Sequence, residues 1–119
     1  MRIPTEKEEC ICFCDYVFSH KKMRDYLIHI PNEGNRTRWF GKSLVRQGLR
    51  KGVPDYVFIL PNKNWHSLWI EMKRKTGSSV STSQVQWISL LNSLGHCAKI
   101  ALGCEQAIEI LNDYISNKF

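Results

Sequence analysis

Two short stretches, Tyr56 to Leu60 and Ser67 to Lys73, constrain this chain more than any other feature. The first is an apolar run of strand length, rich in aromatic and β-branched residues, and the second alternates like a strand. The turn Pro61-Asn62-Lys63-Asn64 lies between them. In the second strand Leu68, Ile70 and Met72 fall on one face, while Trp69, Glu71 and Lys73 fall on the other. Asp55 stands just before the first strand. If the two strands form a hairpin, Asp55 and Glu71 meet at one end of a sheet, with Lys73 on the same face.

The rest of the pattern supplies helices around such a sheet. Thr5 to Ser19 reads as a helix, with Thr5 as its N-cap and acids in the first turn, where the helix dipole favours them. Cys10, Phe13, Cys14 and Val17 form its apolar stripe. Leu27 to Ile30 is short and extended, because Pro31 disfavours helix before it. Trp39, Phe40, Leu44 and Val45 suggest a short helix between Gly34 and Gly52. Ser81 to Leu94 is a helix ended by Gly95, Cys97 to Leu102 a third strong strand, and Glu105 to Ile115 a final helix. That last helix carries Ala107, Ile108, Leu111 and Ile115 on one face. The succession implies an α/β fold, with a central mixed sheet flanked by helices, and one domain over residues 1–119.

Charge narrows the function classes. The net charge is +6, and its placement matters more than its size. Arg36, Arg38, Lys42, Arg46, Arg50 and Lys51 follow one another between Gly34 and Pro54 with no acid among them. Such a block suits a polyanion such as nucleic acid. No apolar run is long enough to cross a bilayer, and the opening MRIPTEKEEC has charges where a signal core would be apolar. The reading is a cytoplasmic protein without a membrane partner. The five cysteines, an odd number, are read as reduced thiols. Cys10, Cys12 and Cys14 do not converge as zinc ligands would, and serve as small hydrophobes.

Two carboxylates and a backbone carbonyl make a hard oxygen site suited to Mg²⁺ or Mn²⁺. An adjacent ammonium can stabilise charge on a phosphate or hold a water. Asp55, Glu71 and Lys73 thus have the equipment of phosphodiester hydrolysis. The plainer reading of Glu71 and Lys73 is an ion pair on one sheet face, and that of Asp55 a turn residue after proline.

The combination Ile30-Pro31-Asn32-Glu33-Gly34, Gly52-Val53-Pro54-Asp55, Ile70-Glu71-Met72-Lys73 and Ser81-x-x-Gln84-x-x-Trp87 resembles the VRR-Nuc family of the PD-(D/E)XK nuclease superfamily, in its stand-alone bacteriophage form. The resemblance covers nearly the whole chain. It implies a restriction-endonuclease-like core and metal-dependent DNA cleavage, often of branched DNA such as four-way junctions or flaps. It also implies a metal held by Asp55, Glu71, the Met72 carbonyl and an acid on the first helix. Glu6 fits that acid and Glu9 is the alternative. Cys10 stands where the family usually has glutamine.

Gln84 has two readings. It can reach back to the Ser81 amide as a capping box, or stand beside the active site as the resemblance implies. Trp87 and Leu91, on the same helix face, are read as core. A homodimer is expected on two grounds: the resemblance, and the paired incisions that a four-way junction demands. The competing function is a nucleic-acid-binding module with a nuclease-like fold and little or no cleavage.

Overall fold

The computed structural model describes residues 2–31 and 38–119, with side chains omitted at positions 38–40. The elements in chain order are α1 (Glu6–Phe18), α2 (Lys21–Arg24), β1 (Leu27–His29), α3 (Arg38–Arg46), β2 (Tyr56–Phe58), β3 (Leu68–Lys73), α4 (Thr82–Ser93), β4 (Cys97–Leu102) and α5 (Cys104–Ile115). The sheet order is β1-β2-β3-β4. The first two pairings are antiparallel, and β3 runs parallel to β4 through the α4 crossover, which makes the sheet mixed.

Local chemistry accounts for most boundaries. Thr5 caps α1 through a complete capping box with Glu8. Asn62 makes the hairpin turn by accepting from the amides of Asn64 and Trp65 at 2.9 and 2.8 Å. Gly95, at φ +90°, ends the α4 segment. The short α2 has no counterpart in the sequence reading. Its four residues lack both a side-chain cap and a full apolar stripe.

The core lies between the sheet and the α1–α5 pair. Phe13 and Val17 of α1 meet Leu68, Ile70 and Met72 of β3 and Ala107, Leu111 and Tyr114 of α5 there. α5 sits about its axis differently from expectation. Tyr114 is buried and its hydroxyl donates to the Leu60 carbonyl at 2.8 Å, whereas Ile115 is 37% exposed. That buried hydroxyl bond selects the face on which Tyr114 rather than Ile115 points inward. α4 packs against β4. No helix among the described residues is long and apolar enough to cross a membrane.

The cysteines also depart from expectation. Cys12 and Cys104 form a disulfide, with Cα atoms 5.9 Å apart across 92 residues of sequence. Cys12 does point away from Cys10 and Cys14, but it points at α5, a neighbour that only the folded packing provides. Cys10, Cys14 and Cys97 are free.

Candidate functional site

The β2–β3 hairpin forms as its alternation requires. Tyr56 pairs with Ile70, so Asp55, one step further out, lies across from Glu71. The approach to Asp55 is set by Gly52, which sits at φ +87° against the first turn of α4. A Cβ there would lie 2.7 Å from Ser83 Oγ, so only glycine fits without displacement.

Carboxylate oxygens of Glu6, Asp55 and Glu71 lie within 4.8 Å of one another. Glu6 comes from the first turn of α1, Asp55 from the start of β2 and Glu71 from the middle of β3. Asp55 Oδ2 accepts from the Met72 amide at 2.7 Å. Glu71 Oε2 accepts from Gln84 Nε2 at 3.1 Å and lies 3.8 Å from Lys73 Nζ. Both Glu71 and Lys73 are buried.

The two readings of Gln84 prove compatible. Its Oε1 accepts from the Ser81 amide at 2.9 Å, completing the capping box, while its Nε2 holds Glu71. Met72 has a fully buried side chain, and its amide orients Asp55.

Glu9 stands elsewhere. Three positions along a helix turn it about 60° away from Glu6. It is buried against α5, where its Oε1 accepts from the Cys104 amide at 3.1 Å. It therefore satisfies an orphan donor at the α5 N-terminus, where Gly103 has no side chain to do so. Gly103 itself has φ +94°, and a Cβ there would lie 3.1 Å from Glu9 Oε2.

Burial and crowding raise the proton affinity of all three clustered acids. Desolvation is the largest cause for each. Repulsion from Asp55 adds to it at Glu6 and Glu71. Glu71 is pushed up to about 8, with Lys73 opposing the rise.

Stability in chelator depends on these protons. A carboxyl raised on folding stabilises the fold below its unfolded pKa and loses that contribution as pH rises through its folded pKa. The melting temperature should therefore fall as pH rises from about 4.5 to about 8. Glu8 has the opposite sign: Arg2 holds it down at about 2, but that pair is exposed and acts below this window. Thermal melts of wild type and Glu71→Gln across this range provide the check. The wild-type slope should flatten in the variant, and an equal slope in both would contradict the assignment.

The basic block is placed only in part. Lys42 and Arg46 on α3, and Arg50 and Lys51 on the strap leading into Asp55, are exposed. Arg36 lies outside the described residues, as do Asn32, Glu33 and Gly34, and the Arg38 side chain is not described. Trp87 is not core. Its indole N–H donates to the Lys51 carbonyl at 3.1 Å, and the Arg50 guanidinium lies 5.4 Å from its ring centroid. Trp87 thus ties the basic strap to α4, a role that i, i+3 spacing cannot distinguish from burial; Leu91, one turn on, is buried.

His29 joins the site without any signal in its sequence spacing. The register β1–β2 places it beside Tyr56, with ring centroids 5.2 Å apart and an attractive interaction with Asp55. That placement depends on a pairing between strands far apart in the chain.

The profile of the VRR-NUC domain family matches residues 2–104. A solved structure described as a VRR_NUC domain protein is similar over 97% of this chain and 91% of its own, with a TM-score of 0.85 and 25% identity. Sequence comparison with curated proteins gives no match. The matched span contains every residue of the acidic cluster together with Lys73 and Gln84, and the shared fold is the mixed sheet and helices described above. This chain belongs to the VRR-NUC domain family, a nuclease family with a restriction-endonuclease-like α/β fold.

Proposed function

We propose that this protein is a Mg²⁺- or Mn²⁺-dependent endonuclease that hydrolyses phosphodiester bonds in DNA, with a preference for branched structures. The observation that carries this reading is the convergence of three carboxylate oxygens within 4.8 Å beside the buried Lys73 ammonium. The donor set fits a hard divalent cation. It consists of oxygens only, and burial and crowding disfavour the charged forms of its acids, a cost that a bound positive charge offsets. Glu6, Asp55 and Glu71, with the Met72 carbonyl, would hold the ion. When bound, it supplies Lewis acidity toward the phosphate and a more acidic water.

The remaining roles belong to the chain. Gln84 and the Met72 amide fix the orientations of Glu71 and Asp55. Lys73 offers its N–H groups to a water or to a non-bridging phosphate oxygen, where negative charge grows. Arg36, Arg38, Lys42, Arg46, Arg50 and Lys51 bind the DNA backbone.

Affinity should fall steeply with salt, and each neutralised phosphate contact should flatten the log–log slope by about one unit. Fluorescence anisotropy on wild type and on the combined variant Lys42→Ala, Arg46→Ala and Lys51→Ala measures this. An unchanged slope would remove these residues from the interface.

The branched-DNA preference goes with a twofold homodimer, which presents two equivalent sites to a junction cut on two strands. Sedimentation at micromolar concentration, with cleavage of four-way, flap, duplex and single-stranded DNA in Mn²⁺, tests the reading. A dimer with paired incisions in the junction is expected. A monomer that cuts flaps or single strands at least as fast contradicts the substrate assignment, and binding without cleavage of any substrate contradicts the enzyme.

A further inference from the structure

A cleft of about 630 Å³ adjoins the acidic cluster, and Glu6 and Asp55 are among the residues that line it. This is within the range of about 300–1,000 Å³ that small-molecule sites occupy. Ile11 and Phe18, with the core-flanking Cys14 between them, form an apolar stripe of α1 that lines the cleft together with His29 and Tyr56.

The stripe is unusual for a helix already packed on a core. Phe13 and Val17 bury a neighbouring side of α1, centred about 110° round the helix from this stripe, and one apolar face is all that such packing requires. Ile11, Cys14 and Phe18 repeat at the helical spacing i, i+3, i+7, yet Ile11 is 51% and Phe18 54% exposed. Cys14 donates to the Tyr56 hydroxyl at 3.4 Å, and burial pushes the neighbouring Cys10 thiol up to about 11, so Cys10 adds no thiolate charge at neutral pH. The acids Glu6, Asp15 and Asp55 line the cleft against one lysine, Lys7. This balance repels a phosphate but not a neutral, flat ring with a polar edge. The His29 ring, itself packed on Tyr56, offers a hydrogen-bonding edge at the rim.

We propose that this cleft is a nucleobase pocket that receives one unpaired base adjoining the phosphate being cut, laid against Ile11 and Phe18. The proposal rests on the nuclease reading of the acidic cluster, and it specifies the substrate of that site: DNA whose nucleotide beside the cut is already unpaired or readily leaves the stack. Such a base is held by its ring face, which every base possesses, so the pocket selects unpaired structure rather than sequence.

The test is single-turnover cleavage in Mn²⁺ of a substrate with a mapped cut site, carrying an abasic residue at each position around the cut in turn. In wild type the rate should fall about tenfold at one flanking position and little elsewhere. Phe18→Ala should lose a similar factor on intact DNA and little more on the abasic substrate, because the two changes remove the same contact. Ile11→Ala, also at an exposed side chain, should repeat the pattern. Indifference to the abasic residue at every position, or fully additive losses, would overturn the pocket while leaving the nuclease in place. Failure to cut any substrate would overturn both.

Discussion

Asp55→Asn and Glu71→Gln should each lower the cleavage rate at least about a thousandfold while the protein stays folded. Both changes keep side-chain size and remove one negative charge from a site where three carboxylates converge. Loss of charge at either position weakens the hold on a divalent ion and the stabilisation it gives the transition state, and each tenfold in rate is about 1.4 kcal/mol. The fold should not suffer. Burial and Asp55 already disfavour the charged form of Glu71, raising it to about 8, so a neutral glutamine of the same size is no added burden on the fold. In Asp55→Asn the side-chain carbonyl can still accept from the Met72 amide, which donates to Asp55 at 2.7 Å in wild type. Circular dichroism and melting separate inactivity from unfolding. Full activity in both variants would remove these residues from the chemistry.

Lys73→Ala should slow cleavage about a hundredfold and change DNA affinity little. The reason is position. Lys73 Nζ is 3.8 Å from Glu71 Oε2 and the residue is buried, whereas the exposed cations of the basic block lie on α3 and the strap before Asp55. A buried ammonium adds little to long-range attraction, but it is worth more where charge develops in a dry site. Because its removal also leaves Glu71 without its cationic neighbour, Lys73→Met serves as a second variant that retains the buried stem. A fall in affinity that matches the fall in rate would make Lys73 an electrostatic anchor only.

The hairpin and its three residues were legible because period-two alternation and a four-residue turn determine which side chains meet. The caps of α1 and α4 were legible for a similarly local reason: Thr5 and Ser81 each stand three residues before a Glu or Gln. What escaped depends on how helices are set about their axes by distant partners. Glu6 and Glu9 differ by about 60° of helix rotation, and only the seating of α1 on β3 and α5 sends one to the cluster and the other to the α5 N-terminus. The same holds for Cys12 against Cys104, for Tyr114 displacing Ile115 from the inner face, and for Trp87, which holds a strap instead of filling the core. Gln84 needed no choice between its readings, because an amide has an acceptor for the cap and donors for Glu71.

The most direct test of the central claim, that the acidic cluster makes this protein a metal-dependent DNA nuclease, is the rate of cleavage of a labelled four-way junction by the wild-type protein across a titration of Mn²⁺ or Mg²⁺, with a parallel series in excess EDTA. Cleavage that rises saturably with the ion and vanishes in EDTA is the predicted result. Cleavage that persists undiminished in EDTA, or no cleavage of this or any other DNA at any concentration of either ion, would contradict it.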